Sequence, residues 1–147
     1  MFSKILPKII VVSGAHSNVG KTKLAYQLCS LLDNAIRVKI GHHSEKKHGD
    51  SNYYYAGTPF FKILEEHRQC RYLIIESNHI ISEIQPDCLI FLTGQKKAKP
   101  SADTALKKAD IVRGRSIKLD RQEHIAKMLV IDMNIVRKII KLSGAYS

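Results

Sequence analysis

A glycine, a lysine and a threonine stand in direct succession near the amino end of the chain, at Gly20-Lys21-Thr22. The β-branched run 8–12 comes before them, and leucines at helical spacing in 24–32 come after them, which predicts a strand, a loop and a helix. A glycine-bearing loop in that setting is typical of a phosphate-binding P-loop. The backbone N–H groups of such a loop surround the phosphates, and the positive end of the helix dipole adds attraction. We therefore expect a phosphorylated ligand.

Each position of the predicted loop has its own task. Gly20 lets the backbone pass close to a nucleotide without a Cβ clash. Lys21 would reach the β- and γ-phosphates, and the hydroxyl of Thr22 would ligate Mg²⁺. The residues predicted to bind the nucleotide are Gly14, Ala15, His16, Ser17, Asn18, Val19, Gly20, Lys21, Thr22 and Lys23.

The spacing of the loop departs from the commonest pattern, G-x-x-x-x-G-K-[ST]. That pattern expects glycine at position 15, where this chain has Ala15, and the glycine sits one residue earlier at Gly14. The shifted loop is similar to that of the dethiobiotin and cobyrinate synthetases. His16 occupies the place where partition-type ATPases carry a signature lysine, which disfavours that subfamily.

Two acidic residues are candidates for work beside the phosphates. Glu76 closes an apolar segment predicted to be a buried strand, and ligands of parallel sheets bind at the carboxyl ends of strands. An acid there can hold Mg²⁺, usually through water, or orient a nucleophile. Asp50, in the polar segment 41–52, could complete the Mg²⁺ shell or activate water. We predict catalytic roles for Lys21, Asp50 and Glu76, and metal ligation by Thr22, Asp50 and Glu76. The alternatives are a helix-capping role for Glu76 and a turn-forming role for Asp50.

Three histidines share that polar segment: His42, His43 and His48. Zinc needs ligands arranged as a tetrahedron, and adjacent histidines on an extended chain point to opposite sides. The spacing therefore favours contact with a phosphate or a pterin-like ligand over a metal site.

Strands alternate with helices along the whole chain, which predicts one α/β domain over residues 1–147. We expect a three-layer P-loop NTPase fold, a mainly parallel sheet flanked by helices. The predicted strands are 8–13, 35–41, 71–78, 87–93 and 109–112.

Composition limits the partners. The formal net charge of +11 is concentrated in residues 95–147, which hold 13 Lys and Arg residues against 5 Asp and Glu residues. Such a surplus favours anionic partners without choosing among them. No apolar run approaches the roughly 18 residues of a membrane span, and residues 1–8 carry no secretory signal, so we expect a cytoplasmic protein. The scattered cysteines Cys29, Cys70 and Cys88 are expected to be reduced core thiols.

The chain also resembles the MobB-like adaptor family of molybdopterin-guanine dinucleotide biosynthesis. The resemblance rests on the loop just described, on residues 38–42, on Gly49-Asp50-Ser51, on residues 53–57 and on the strand that ends in Glu76. It covers about the first 80 residues. The chain departs from the usual family pattern at Ala15, Lys23 and Ser77, where glycine, threonine and glycine are common.

The resemblance implies binding of GTP (or ATP) with Mg²⁺, slow hydrolysis and, as in many family members, a homodimer. Gly20, Lys21 and Thr22 would then hold the phosphates and metal, while Asp50 and Glu76 serve Mg²⁺ or water. The implied partners are the molybdopterin guanylyltransferase enzyme and a phosphorylated pterin.

Two other functions remain open at this point. The similarity of the Gly14 spacing to the dethiobiotin and cobyrinate synthetases implies an ATP-dependent enzyme of that type, which phosphorylates a carboxylate, although 147 residues leave little room for its substrate. The basic carboxyl-terminal half would suit a nucleic-acid-binding ATPase. However, Tyr146 is the only aromatic residue after Phe91, and single-stranded nucleic acids are usually held by stacking on aromatic side chains. We therefore expect neither a nucleic acid nor a membrane partner.

Overall fold

The computed structural model describes residues 5–41, 52–97 and 99–147. Strands and helices alternate along most of this chain. The strands are β1 Lys8–Gly14, β2 Ala35–Gly41, β3 Tyr53–Tyr55, β4 Tyr72–Glu76, β5 Cys88–Leu92 and β6 Ile111–Val112. The helices are α1 Lys21–Leu31, α2 Phe60–Glu66, α3 Ala102–Lys108, α4 Leu119–Leu129 and α5 Met133–Leu142, with a 3₁₀ turn at Ile80–Ser82.

The six strands described form one sheet in the order β3-β2-β4-β1-β5-β6, and every pair is parallel. β1 lies between β4 and β5, with Val12 opposite Glu76 on one side and Gly14 opposite Leu92 on the other. Because all strands run the same way, their carboxyl ends meet at one edge, where ligands of such sheets bind. The loop after β1 therefore begins at the centre of that edge.

Helices cover both faces of the sheet, because the buried strands are apolar on both sides. One face packs against α1, α4 and α5, with Leu28, Ile125 and Ile139 in its core. The other packs against α2, α3 and the 3₁₀ turn, with Ile63 and Ala105 in its core. The predicted three-layer α/β architecture is confirmed, and within the described residues the sheet is wholly parallel.

The sequence prediction missed one strand. β3 pairs with β2 at the edge of the sheet, with Lys39 opposite Tyr53 and Gly41 opposite Tyr55. Three consecutive tyrosines suit a strand, because aromatic side chains pack well on a pleated surface. A three-residue strand is too short to show the alternation on which sequence prediction depends.

Candidate functional site

The loop after β1 leads directly into α1. Gly20 stands at the N-cap of α1 with φ of 106°, in the left-handed region that favours glycine. Within residues 5–41, 52–97 and 99–147, no side chain caps this end of the helix. The N–H groups of Lys21, Thr22 and Lys23 lie in the first turn, where a helix offers no intrahelical acceptor. This helix end therefore presents donors and a positive dipole to the carboxyl edge of the sheet.

Side chains fasten the start of the loop to β4 and the residues after it. The amide of Asn78 makes two bonds to Gly14: its Oδ1 accepts from the backbone N–H at 3.0 Å, and its Nδ2 donates to the carbonyl at 2.9 Å. The hydroxyl of Ser13 donates to the carbonyl of Ser77 at 2.7 Å. These three bonds fix the separation between the ends of β1 and β4.

The glycine at position 14 has a steric reason. A Cβ at Gly14 would lie 2.4 Å from Cγ2 of Val19, closer than real Cβ contacts come. The Cβ of Ala15, in contrast, is accommodated in the core, where this residue is buried. Because Val19 packs against position 14, glycine is required there, one residue before position 15, where the commonest spacing has it.

His16 faces the loop that follows β5. Its Nδ1 lies 2.7 Å from the carbonyl oxygen of Ser17. Its Nε2 is buried and has no hydrogen-bond partner among the described residues. A Cβ at Gly94 would lie 2.1 Å from this Nε2, so the glycine leaves the space that the imidazole fills. His16 therefore packs against the loop that follows β5.

Thr22 and Glu76 meet at the carboxyl edge, between α1 and the end of β4. The hydroxyl of Thr22 donates to Oε1 of Glu76 at 2.6 Å. Because this bond uses the hydroxyl proton, the oxygen lone pairs of Thr22 remain free to accept or to ligate a cation. Glu76 is only 2% exposed.

Arg37, in the middle of β2, is the site residue that sequence reasoning missed. Its Nε donates to Oε2 of Glu76 at 2.8 Å, and Arg37 is itself 8% exposed. The guanidinium carbon lies 4.7 Å from the ring centroid of Tyr26 on α1, which is a cation–π distance. Charged and apolar residues alternate along β2, a pattern typical of a strand with one solvated face, so the sequence does not indicate that Arg37 is buried.

A cavity of about 660 Å³ opens beside the loop. Among the described residues, four lysines line it, together with one carboxylate, that of Glu83. The cavity is therefore positively charged and suits an anionic ligand. The lining lysines are Lys21, Lys23, Lys39 and Lys99.

Burial lowers the pKa of Lys21 from 10.5, and the charges of Lys39 and Lys99 lower it further. The negative charge of Glu76 acts in the opposite direction. The ammonium group of Lys21 is thus partly stripped of water and lies among other cations. An anion beside this ammonium group would offset both the cost of its burial and its repulsion by the neighbouring lysines.

The predicted site residues fall into three groups. Glu76 contacts the cavity through Thr22. The first group lines the cavity directly and consists of Ser17, Asn18, Gly20, Lys21, Thr22 and Lys23. Four other predicted loop residues hold the loop in place by packing or backbone bonds: Gly14, Ala15, His16 and Val19. Asp50 and the histidines His42, His43 and His48 lie outside the described residues.

The donor set can be compared with what Mg²⁺ requires. Mg²⁺ takes oxygen ligands and usually keeps several waters, with one or two protein groups and the substrate phosphates completing its shell. Thr22 and Glu76 supply hydroxyl and carboxylate oxygens side by side, so these residues fit such an ion. No group of three or more His, Cys, Asp or Glu residues suited to a metal occurs in residues 5–41, 52–97 and 99–147.

Sequence comparison identifies no relative for this chain: no protein-family model and no curated protein matches it. All three cysteines are free, and Cys70 and Cys88 are buried. None of the described helices has the length and apolar character needed to cross a membrane.

Proposed function

We propose that this chain binds a nucleoside triphosphate with Mg²⁺ in the cavity beside the β1–α1 loop. The observation that carries the proposal is the Thr22–Glu76 hydrogen bond of 2.6 Å at the wall of a cavity lined by four lysines. The hydroxyl and the carboxylate are both suited to Mg²⁺. They lie beside lysines and helix N–H groups that are suited to phosphates.

The residues described account for binding more readily than for rapid turnover. Lys21 and the N–H groups of the first turn of α1 hold the phosphate oxygens. Mg²⁺, when bound, would neutralise charge on the transferring phosphate. Both oxygens of Glu76 already accept hydrogen bonds, from Thr22 and from Arg37, so Glu76 orients these two neighbours. This arrangement supports slow hydrolysis.

The narrower proposal is a GTP-binding accessory role in molybdopterin-guanine dinucleotide assembly. Its support is the sequence resemblance in the loop, in residues 38–57 and at Glu76. In that role the lysine-rich cavity would hold GTP, and the basic surface of residues 95–147 would face the anionic pterin phosphate or the guanylyltransferase partner.

Isothermal titration of the purified chain with GTP and with ATP, each with and without Mg²⁺, tests both levels of the proposal. We expect binding that strengthens when Mg²⁺ is present, with GTP preferred. Lys21→Ala should abolish binding, because the cation at the phosphates is lost. Lys127→Ala, which removes an exposed lysine on α4, is the matched control and should bind as the wild type does.

Three results are informative if these expectations fail. Equal affinity of Lys21→Ala and wild type would contradict nucleotide binding at this loop. Failure of the wild type to bind either nucleotide would contradict the proposal as a whole. A preference for ATP would remove the narrower role and leave the binding proposal intact.

A further inference from the structure

We infer that Arg37 is a positioning residue for the metal site: by holding Glu76, it directs the hydroxyl of Thr22 toward the place of Mg²⁺. The inference rests on the proposed function, because it concerns the metal that accompanies the nucleotide. It assigns a role to a residue that lies outside the phosphate-binding loop and does not line the cavity described above.

The first step is the cost of burying Glu76. A carboxylate that is 2% exposed is destabilising unless it is paired and hydrogen-bonded. Arg37 supplies the charge and one hydrogen bond, through Nε at 2.8 Å. Arg37 therefore helps to hold the carboxylate of Glu76 in a fixed place near the loop, together with the hydrogen bond from Thr22.

The second step is the fixed position of Arg37 itself. Strand β2 orients its side chain toward α1, where the guanidinium lies over the ring of Tyr26 and beside Glu76. Tyr26 is four residues beyond Thr22 on α1, which puts both on one face of the helix. One helix face thus holds the hydroxyl of the proposed metal ligand and the ring that supports Arg37.

The third step is the difference between the two carboxylate oxygens. Oε2 of Glu76 receives the bond from Arg37, which leaves Oε1 for the proton of Thr22. With that proton committed, the lone pairs of Thr22 are available to a cation. Without Arg37, the carboxylate has a competing cation in Lys39, its neighbour in register on β2. A shift of Glu76 toward Lys39 would draw it away from Thr22.

The test measures how much Mg²⁺ strengthens nucleotide binding, as the ratio of affinities in Mg²⁺ and in EDTA. Residues that position metal ligands typically change metal affinity by about 10–100-fold when they are replaced. For Arg37→Gln we expect the ratio to fall about tenfold, at the low end of that range, while affinity in EDTA stays within about twofold. Arg37→Lys keeps a cation near Glu76 and should recover part of the ratio.

Arg71→Gln is the matched control. It removes the same charge from an exposed pair with Asp33, whose nitrogen and oxygen lie 3.5 Å apart, and it should leave the ratio unchanged. Thermal unfolding of each variant shows whether it is folded. Tyr26→Leu, which removes only the supporting ring, is the second test if Arg37→Gln does not fold, and it should reduce the ratio by a smaller factor.

Two outcomes would overturn the inference alone. The first is an unchanged or larger ratio in Arg37→Gln or, if that variant does not fold, in Tyr26→Leu. The second is an equal loss of affinity in Mg²⁺ and in EDTA, which would mean that Arg37 only stabilises the fold. A wild type that binds no nucleotide would overturn the inference together with the proposed function, so the two failures are distinguishable.

Discussion

The hydroxyl of Thr22 donates a hydrogen bond to Oε1 of Glu76, and the two oxygens lie 2.6 Å apart. The contact joins the first turn of α1 to the last residue of β4, and the two residues are 54 positions apart in sequence. The hydroxyl group has two tasks here: it satisfies a buried carboxylate and it faces the lysine-lined cavity.

Replacing Thr22 by valine removes the hydroxyl group and keeps the shape of the side chain, so it tests the hydroxyl alone. Thr22→Val keeps the branched shape but leaves Oε1 of Glu76 without its donor, which typically costs about 1–3 kcal/mol of stability. We expect a lower midpoint in urea unfolding and loss of the Mg²⁺-dependent gain in nucleotide affinity. Thr22→Ser restores a hydroxyl and should restore both properties. Full Mg²⁺ dependence in Thr22→Val would contradict metal ligation at this position.

The lowered pKa of Lys21 predicts how binding depends on pH. Burial is the main cause of the lowered pKa, so Lys21 loses its proton at a lower pH than the usual lysine pKa of 10.5. Nucleotide affinity should therefore fall as the pH rises through the alkaline range, beginning at a lower pH than an exposed lysine would allow. Titrations across this range measure the fall. Lys21→Arg, whose guanidinium stays charged, should give a flatter profile.

The same shift has the opposite sign for the stability of the unliganded protein. Between the lowered pKa and 10.5 the unfolded chain binds more protons than the folded chain, so the contribution of Lys21 to stability rises with pH there. Below both pKa values Lys21 is charged in the folded and in the unfolded chain, and the cost of burying its charge is constant.

A wild-type nucleotide affinity that rises with pH above 7 would contradict the placement of the Lys21 ammonium at the phosphates.

Glu76→Gln should reduce Mg²⁺-dependent hydrolysis more than nucleotide affinity. The amide can still accept from Thr22, but its NH₂ group cannot accept from Arg37, so the fixed orientation is lost. Phosphate-release assays at saturating nucleotide, compared with titrations of the same variant, separate the two effects. Equal losses in turnover and affinity would point to a structural role for Glu76.

Gly94→Ala should weaken nucleotide binding through His16. The new Cβ would lie 2.1 Å from Nε2 of His16, so the imidazole must leave its buried place and the loop must adjust. We expect a loss of affinity without a large change in unfolding temperature. The double variant Gly94→Ala/His16→Ala removes the clash and should recover most of the affinity. A double variant as weak as Gly94→Ala alone would show that the clash is not the cause.

Features that depend on residues close together in the chain can be predicted from the sequence, whereas contacts between distant segments cannot. The β1–α1 loop is local: strand, glycine, lysine and threonine are adjacent in the chain, so their arrangement follows from spacing alone. Its placement at the centre of a parallel sheet follows from the alternation of strands and helices. Binding of a nucleotide and of Mg²⁺ stays a prediction.

The role of Arg37 could not be derived in the same way. Along β2 the charged residues Arg37 and Lys39 alternate with apolar ones, the pattern of a strand with one solvated face. α1 covers part of that face, and β4 places Glu76 where Arg37 can reach it. Both facts depend on which strands become neighbours. The shift of glycine from position 15 to position 14 is likewise explained only by the packing of Val19.

The two hydrogen bonds between Asn78 and Gly14 have a kinetic consequence. They act as one more rung of the β1–β4 ladder, made by a side chain just beyond Glu76, the last residue of β4. The geometry at the start of the loop is thus set during folding, before any ligand arrives. Association with an anion should then involve little ordering of this part of the backbone, and its rate should be governed by diffusion and by the attraction of the four lysines, decreasing as ionic strength rises.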